Sequence, residues 1–215
     1  MFIGKYDKSV IVTFLGTLSA MTGIYFILGY DEPKITVAMI CLIIAGICDM
    51  FDGKIARMCK NRTDEDMEYG IQLDSLADMV AFIAFPVITL YGVSKYFNVG
   101  LHPVLAISAV TLFTIGGISR LAYFNVAATK SEPVKYYTGL PVTTTAMIFP
   151  LTYLLRYIVP NNIFVSIYLC IFFLVAFLFV SKVKIRKPKK AWWYTACCIA
   201  GVTVTAILVY MRYFR

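Results

Sequence analysis

Charge is scarce in this chain. Of its 215 residues only 15% are Asp, Glu, Lys or Arg, 60% are apolar, and the mean hydropathy is +0.78. An average soluble domain carries about 25% charged residues, and the shortfall leaves too little polar surface to cover a water-soluble globule. A sizeable soluble domain, a secreted disulfide scaffold and a disordered tail are thereby excluded. The six cysteines (Cys41, Cys48, Cys59, Cys170, Cys197 and Cys198) show no CxxC spacing, and all but Cys59 lie in apolar stretches. They read as small buried hydrophobes, not as metal ligands or disulfide partners. Histidine is reduced to His102, in an expected outer loop. The N-terminal run that follows Lys5 and Lys8 lacks an A-x-A cleavage pattern and reaches spanning length, so it reads as a retained helix and not a signal peptide.

Long apolar runs fill the space instead, at 9–29, 35–58, 70–95, 103–127, 138–158, 162–182 and 192–211. At about 20 residues per crossing, seven spans use nearly the whole chain. Transmembrane strands would alternate over about 10 residues, so a β-barrel is excluded. The expected fold is an all-α polytopic membrane bundle of seven spans. Fourteen basic residues fall on one side (Lys5, Lys8, Lys54, Arg57, Lys60, Arg62, Lys130, Lys135, Lys182, Lys184, Arg186, Lys187, Lys189, Lys190) and five on the other (Lys34, Lys95, Arg156, Arg212, Arg215). By the positive-inside rule the N-terminus and the 58–70 loop are cytoplasmic and the C-terminus is outside. The formal charge of +8 then reads as topology and affinity for anionic headgroups, not as a nucleic-acid footprint. Trp192, Trp193 and Tyr194 sit where an interfacial aromatic anchor belongs.

Eight of the twelve acidic residues (Asp7, Asp31, Glu32, Asp64, Glu65, Asp66, Glu68 and Glu132) fall in expected loops or flanks. Asp49 and Asp52 near the end of the second span, and Asp74 and Asp78 near the start of the third, do not. A carboxylate at membrane depth costs several kcal/mol unless it is paired, hydrated or bound to a cation. Spacings of i,i+3 and i,i+4 put each pair on one helix face, and consecutive antiparallel spans put both pairs at one depth. Repulsion among four carboxylates calls for a compensating cation, and all-oxygen donors suit Mg²⁺ or Mn²⁺. Helix-end carboxylates snorkelling to water, or an ion or proton pathway in a transporter, are the competing readings. Gly53 admits close approach of a ligand, Ala56 keeps the next turn small, and Arg57 is placed to reach phosphate at the interface. A pair of such metals beside an arginine is what a pyrophosphate ligand requires for in-line displacement.

Written out, the segment is Asp49-x2-Asp52-Gly53-x2-Ala56-Arg57-x12-Gly70-x3-Asp74-x3-Asp78. It resembles the signature of the CDP-alcohol phosphotransferase family, integral membrane enzymes of phospholipid synthesis, and the resemblance implies a six-helix core over 1–182 with a basic loop and a seventh C-terminal helix added over 183–215. The gap from Arg57 to Gly70 is longer than the family's usual one, and the hydrophilic stretch Asn61 to Glu68 is expected to bulge into water as a loop. The segments Leu73-Asp74-Ser75-Leu76-Ala77-Asp78, Arg120-Leu121-Ala122-x-Phe124-Asn125-Val126 and Tyr137-x-Gly139-Leu140-Pro141 resemble the branch whose acceptor is L-serine. The first span lacks the family's frequent Pro-Asn start, although Thr17, Ser19 and Gly23 offer a small polar face.

The resemblance implies an enzyme of the cell membrane, its site on the cytoplasmic side, that takes CDP-diacylglycerol and L-serine, releases CMP and works as a homodimer. It implies that Asp49, Asp52 and Asp74 hold two Mg²⁺ or Mn²⁺ ions and that Asp78 is a metal ligand, a general base or both, with Asp74 and Asp78 nearest the chemistry. Gly53, Ala56 and Arg57, with Thr17 and Ser19 of the first span, would line the cytidine diphosphate pocket. On the acceptor side stand Ser75, Arg120, Asn125, Lys135, Tyr137 and Gly139. Arg120 reads either as snorkelling or as an anion contact, and Asn125 either as pocket lining or as a helix-end cap.

Overall fold

The computed structural model describes residues 7–59, 63–128, 136–186 and 191–213. The helices are α1 (Lys8–Leu28), α2 (Ile35–Met58), α3 (Asp64–Asp78), α4 (Phe85–Phe97), α5 (Pro103–Ala128), α6 (Thr145–Leu154), α7 (Asn161–Val180) and α8 (Ala191–Tyr213). A π-helical segment, Met79–Ala84, joins α3 to α4 without a break. Among the described residues five helices, counting Asp64–Phe97 as one, are long and apolar enough to cross a membrane. The all-α membrane bundle expected from the apolar runs is what forms.

Each departure from those runs has a local cause. α3 starts at Asp64, not near residue 70, because Thr63 and Asp66 form a reciprocal capping box: the Asp66 N–H donates to Thr63 Oγ1 (3.2 Å) and the Thr63 N–H donates to Asp66 Oδ2 (2.9 Å). Asp64, Glu65 and Asp66 in the first turn also complement the helix N-terminus. The hydrophilic stretch expected as a loop is therefore helical from Asp64 onward, and the long Arg57–Gly70 gap is taken up by an extension of α3; Asn61 and Arg62 lie outside the described residues. The fifth run is shorter than a standard span. α6 is flanked by 3₁₀ turns at Val142–Thr144 and Leu155–Tyr157, whose steeper rise brings the unit to about 27 Å, close to the ~30 Å hydrocarbon thickness. A two-stranded antiparallel ribbon, β1 (Tyr136–Thr138) with β2 (Lys184–Arg186), was not legible from the apolar pattern; it pairs Tyr137 with Ile185.

Small residues bring α1 and α2 together. Gly16, Ala20 and Gly23 are buried on α1 and Ala38, Cys41 and Ala45 on α2, the kind of seam by which membrane helices gain close van der Waals contact. Ser19 donates across it to the Cys41 carbonyl (2.9 Å). An aromatic core of Phe113, Phe149, Tyr168 and Phe172 joins α5, α6 and α7, with ring centroids 4.8–5.8 Å apart. At the end of the bundle where α4 and α6 terminate, the Arg156 guanidinium lies 4.7–5.4 Å from the rings of Tyr96, Phe97, Tyr153 and Tyr157. α8 packs on the core: Val204 and Leu208 are buried, and Gly201 faces Ile43 of α2. Cys41 is buried as expected, but Cys48 is only half-buried and Cys170 faces outward on α7, where the surrounding apolar phase makes exposure inexpensive. Trp192, Trp193 and Tyr194 fall at the start of α8, their side chains outside the described residues.

The α1 seam has no slack at Gly23, where an added Cβ would lie 2.2 Å from a Phe85 ring carbon and 2.9 Å from Cys41 Cβ. Gly23→Ala is expected to cost about 1–3 kcal/mol, read as a lowered thermal midpoint in detergent. Gly100→Ala, with nothing within 4 Å, is expected to leave that midpoint unchanged.

Candidate metal centre and substrate cleft

The two carboxylate pairs converge as their spacings require. α2 and α3 are consecutive and antiparallel, and Asp49 and Asp52, nine and six residues before the end of α2, stand at a depth similar to that of Asp74 and Asp78, ten and fourteen residues after the start of α3. Asp49, Asp74 and Asp78 each present one oxygen, all within 4.8 Å of one another. Two oxygens bound to one octahedral Mg²⁺ at ~2.1 Å stand roughly 3 to 4.2 Å apart, so small side-chain rotations suffice to gather the three on an ion. The donor set is all oxygen, with no thiol or imidazole, which is the chemistry of a hard divalent cation. These residues fit the implied metal.

Asp52 stands slightly apart from this trio. Its side chain is 5% exposed, and its Oδ2 accepts a hydrogen bond from Thr13 Oγ1 of α1 at 2.8 Å. It lines the same cleft, together with Thr13, Gly16 and Thr17 of α1, Ala45 of α2 and Ala77, Ala81 and Phe82 beyond Asp74. Three helices therefore supply the walls: α1 gives hydroxyls and a glycine, α2 and α3 the carboxylates, and the π segment an apolar floor. Thr13 was not singled out from sequence. Its signal was present in the spacing, because it lies one turn before Thr17 on the face that carries Gly16, Ala20 and Gly23.

The other anticipated residues fall into three places. Gly53, Ala56 and Arg57 continue the cleft side of α2 toward its end; Gly53 and Arg57 are exposed and Ala56 is half-buried. A Cβ on Gly53 would meet only Arg57 Nη1, at 3.9 Å, so the protein's own packing does not demand glycine there. Thr17 borders the cleft while its hydroxyl donates to the Thr13 carbonyl (3.1 Å). Ser19 is spent on the α2 backbone, as described above, and is not part of the cleft wall.

On the far side of α3, Ser75 Oγ donates to Asn125 Oδ1 of α5 at 2.7 Å. Asn125 thus bridges two helices. Arg120 is 6% exposed; its Nε donates to the Leu140 carbonyl (3.2 Å), and its guanidinium lies 5.8 Å from the centre of the Phe124 ring. It is held inward and does not snorkel. Gly139 has φ +80°, and a Cβ there would lie 2.7 Å from the Phe179 carbonyl, so the turn needs glycine for both reasons. Lys135 lies outside the described residues, as does the side chain of Tyr137.

An all-helical membrane bundle with an acidic, oxygen-only cleft at the ends of two adjacent spans narrows the class to metal-assisted chemistry on a membrane-borne substrate or to cation handling. The family comparison separates these. The profile of the CDP-alcohol phosphatidyltransferase family matches residues 9–173, and the chain belongs to that family. It is similar to a CDP-diacylglycerol–serine O-phosphatidyltransferase of Helicobacter pylori, with 33% identity over 174 residues, 80% of this chain and 69% of the relative. A Bacillus subtilis protein of the same name is 32% identical over 145 residues, 66% of this chain and 70% of its own. An archaetidylserine synthase of Methanothermobacter thermautotrophicus is 30% identical over 143 residues, 65% of this chain and 56% of its own. The matched residues run from α1 into α7 and include every cleft residue; α8 lies beyond them.

If the trio holds the ion, Asp49→Asn, Asp74→Asn and Asp78→Asn should each weaken Mn²⁺ binding by at least about tenfold, or 1.4 kcal/mol, in titrations that follow the free-ion signal by electron paramagnetic resonance. Thr13→Val, which removes the hydroxyl that donates to Asp52 and also lies 3.2 Å from the Ser9 carbonyl, should weaken it less than any of the three.

Proposed function

We propose that this protein is a phosphatidylserine synthase, which transfers the phosphatidyl group of CDP-diacylglycerol to the hydroxyl of L-serine and releases CMP. The observation that carries the reading is the convergence of Asp49, Asp74 and Asp78 beside the open Gly53–Arg57 face. Serine as acceptor is supported by the names of the relatives, which share it even where the lipid part differs.

Two divalent ions, Mg²⁺ or Mn²⁺, held by Asp49, Asp52, Asp74 and Asp78, would neutralise charge on the diphosphate and on the departing CMP. The protein's own residues do the rest. Gly53 and Ala56 leave room for the nucleotide, with Thr17 at the border of the same cleft, and Arg57 reaches over Gly53 toward phosphate. Asp78, 9% exposed and at the end of α3, is placed to take the proton from the serine hydroxyl as that oxygen bonds to the lipid-side phosphorus and the bond to CMP breaks. Arg120, Asn125 and Ser75 border the acceptor side, where a buried guanidinium suits the serine carboxylate, and Lys135, Tyr137 and Gly139 are assigned to the acceptor by the family resemblance alone. The depth of the cleft serves the reaction, since headgroups meet there while acyl chains stay in the bilayer.

The excess of Lys and Arg on one side sets the N-terminus and the cleft in the cytoplasm, in the cell membrane. The chain is read as a core over 1–182 with an added basic loop and helix over 183–215, and as a homodimer like its family. A second donor is favoured by one observation, the similarity to an archaetidylserine synthase: the same site would then act on a CDP-linked ether lipid.

Purified protein in detergent, given CDP-diacylglycerol, Mn²⁺ and a panel of serine, glycerol 3-phosphate, inositol and inositol phosphate, is expected to release CMP only with serine. Chelation should abolish the release, and added Mn²⁺ should restore it. Release with another alcohol would overturn the serine assignment. Activity only with an ether-lipid donor would move the protein to the second reading.

A further inference from the structure

The N-terminal turn of α6 packs against both α2 and the π segment that continues α3. On one side it meets the π segment that begins directly after Asp78. Pro86, in the first turn of α4, has no N–H to return to the preceding turn. The carbonyl four residues before it, that of Phe82, faces Thr145 Oγ1 of α6 at 3.2 Å, a hydroxyl that also lies 2.8 Å from the Val142 carbonyl. Thr145 is fully buried, so this contact is made out of reach of water. Phe82 itself lines the cleft beside Asp78. On the other side, the next residue of α6, Ala146, abuts α2 one turn before Asp49: a Cβ added to Gly46 would stand 2.5 Å from Ala146 Cβ.

We propose that the first turn of α6 sets the spacing between the α2 and α3 carboxylates, with Thr145 acting as a positioning residue for the metal ligands through the Phe82 carbonyl and the π segment. π turns inside α-helices occur mostly at functional sites, and here a threonine hydroxyl from a neighbouring helix lies against a carbonyl of the π segment, one turn before Pro86. Residues that orient ligands without touching the ion change metal affinity about 10–100-fold when altered. The proposal rests on the metal-dependent reading above.

The test uses the full chain in detergent without substrate and reads Mn²⁺ affinity by electron paramagnetic resonance, alongside the melting temperature in chelator. Thr145→Val, isosteric but without the hydroxyl, is expected to weaken Mn²⁺ binding about tenfold, whereas Thr145→Ser, which keeps the hydroxyl, stays within about twofold. Ala146→Gly, which removes the contact with Gly46, provides a second perturbation should the valine variant fail to fold, and should weaken binding at least about threefold. Unchanged Mn²⁺ affinity in Thr145→Val or in Ala146→Gly, with only a lowered melting temperature, would show a purely structural role and overturn the proposal. Failure of the unsubstituted protein to bind Mn²⁺ would overturn the metal reading itself, and this inference with it.

Discussion

Carboxylates concentrated in one small volume at the ends of two membrane spans repel one another, and low-dielectric surroundings strengthen that repulsion. Asp49, Asp74 and Asp78 are nevertheless brought within one ion's reach, and the rest of the structure can be read as what is needed to keep them there. The α1–α2 seam of small residues lets α1 approach closely enough for Thr13 to hold Asp52. The long, capped α3 carries Asp74 and Asp78 down beside the end of α2. The start of α6 packs against both α2 and the π segment that follows Asp78. A cation would turn this arrangement from a cost into a bound state, and it is also what a diphosphate substrate needs.

The site has two sides, separated by α3. The face toward α1 and α2 holds the carboxylates and the open Gly53–Arg57 groove. The face toward α5 holds the Ser75–Asn125 hydrogen bond and, further along α5, buried Arg120 bonded to the loop before α6. Because Leu140 lies five residues before Thr145, the carbonyl that holds Arg120 and the first turn of α6 belong to one short segment of backbone.

Much of this was legible in the sequence. Runs of about 20 apolar residues reveal spanning helices because the bilayer fixes their length, and i,i+3 and i,i+4 spacings of aspartates reveal a shared face because the helix period is fixed. What escaped depended on contacts between distant segments. Thr13 reads as an unremarkable helix threonine until α2 is placed beside it. The π turn at Met79–Ala84 is invisible in hydrophobic periodicity, and Thr145 has meaning only opposite Phe82 and Pro86. Asp64 to Glu68 looked like loop because the stretch is hydrophilic, yet the Thr63–Asp66 capping pair was sufficient to make it helix. Ser19 has the residue type of a pocket hydroxyl, but its position on the α1–α2 seam commits it to the Cys41 carbonyl.

The most direct test of the carboxylate cluster as the reaction centre is anomalous X-ray diffraction at the manganese edge from crystals of the protein soaked in Mn²⁺. The account predicts a peak bounded by the carboxylates of Asp49, Asp74 and Asp78, lost in Asp74→Asn crystals grown and soaked in the same way. Manganese bound elsewhere, or no peak at this cluster under conditions in which the protein releases CMP, would contradict it.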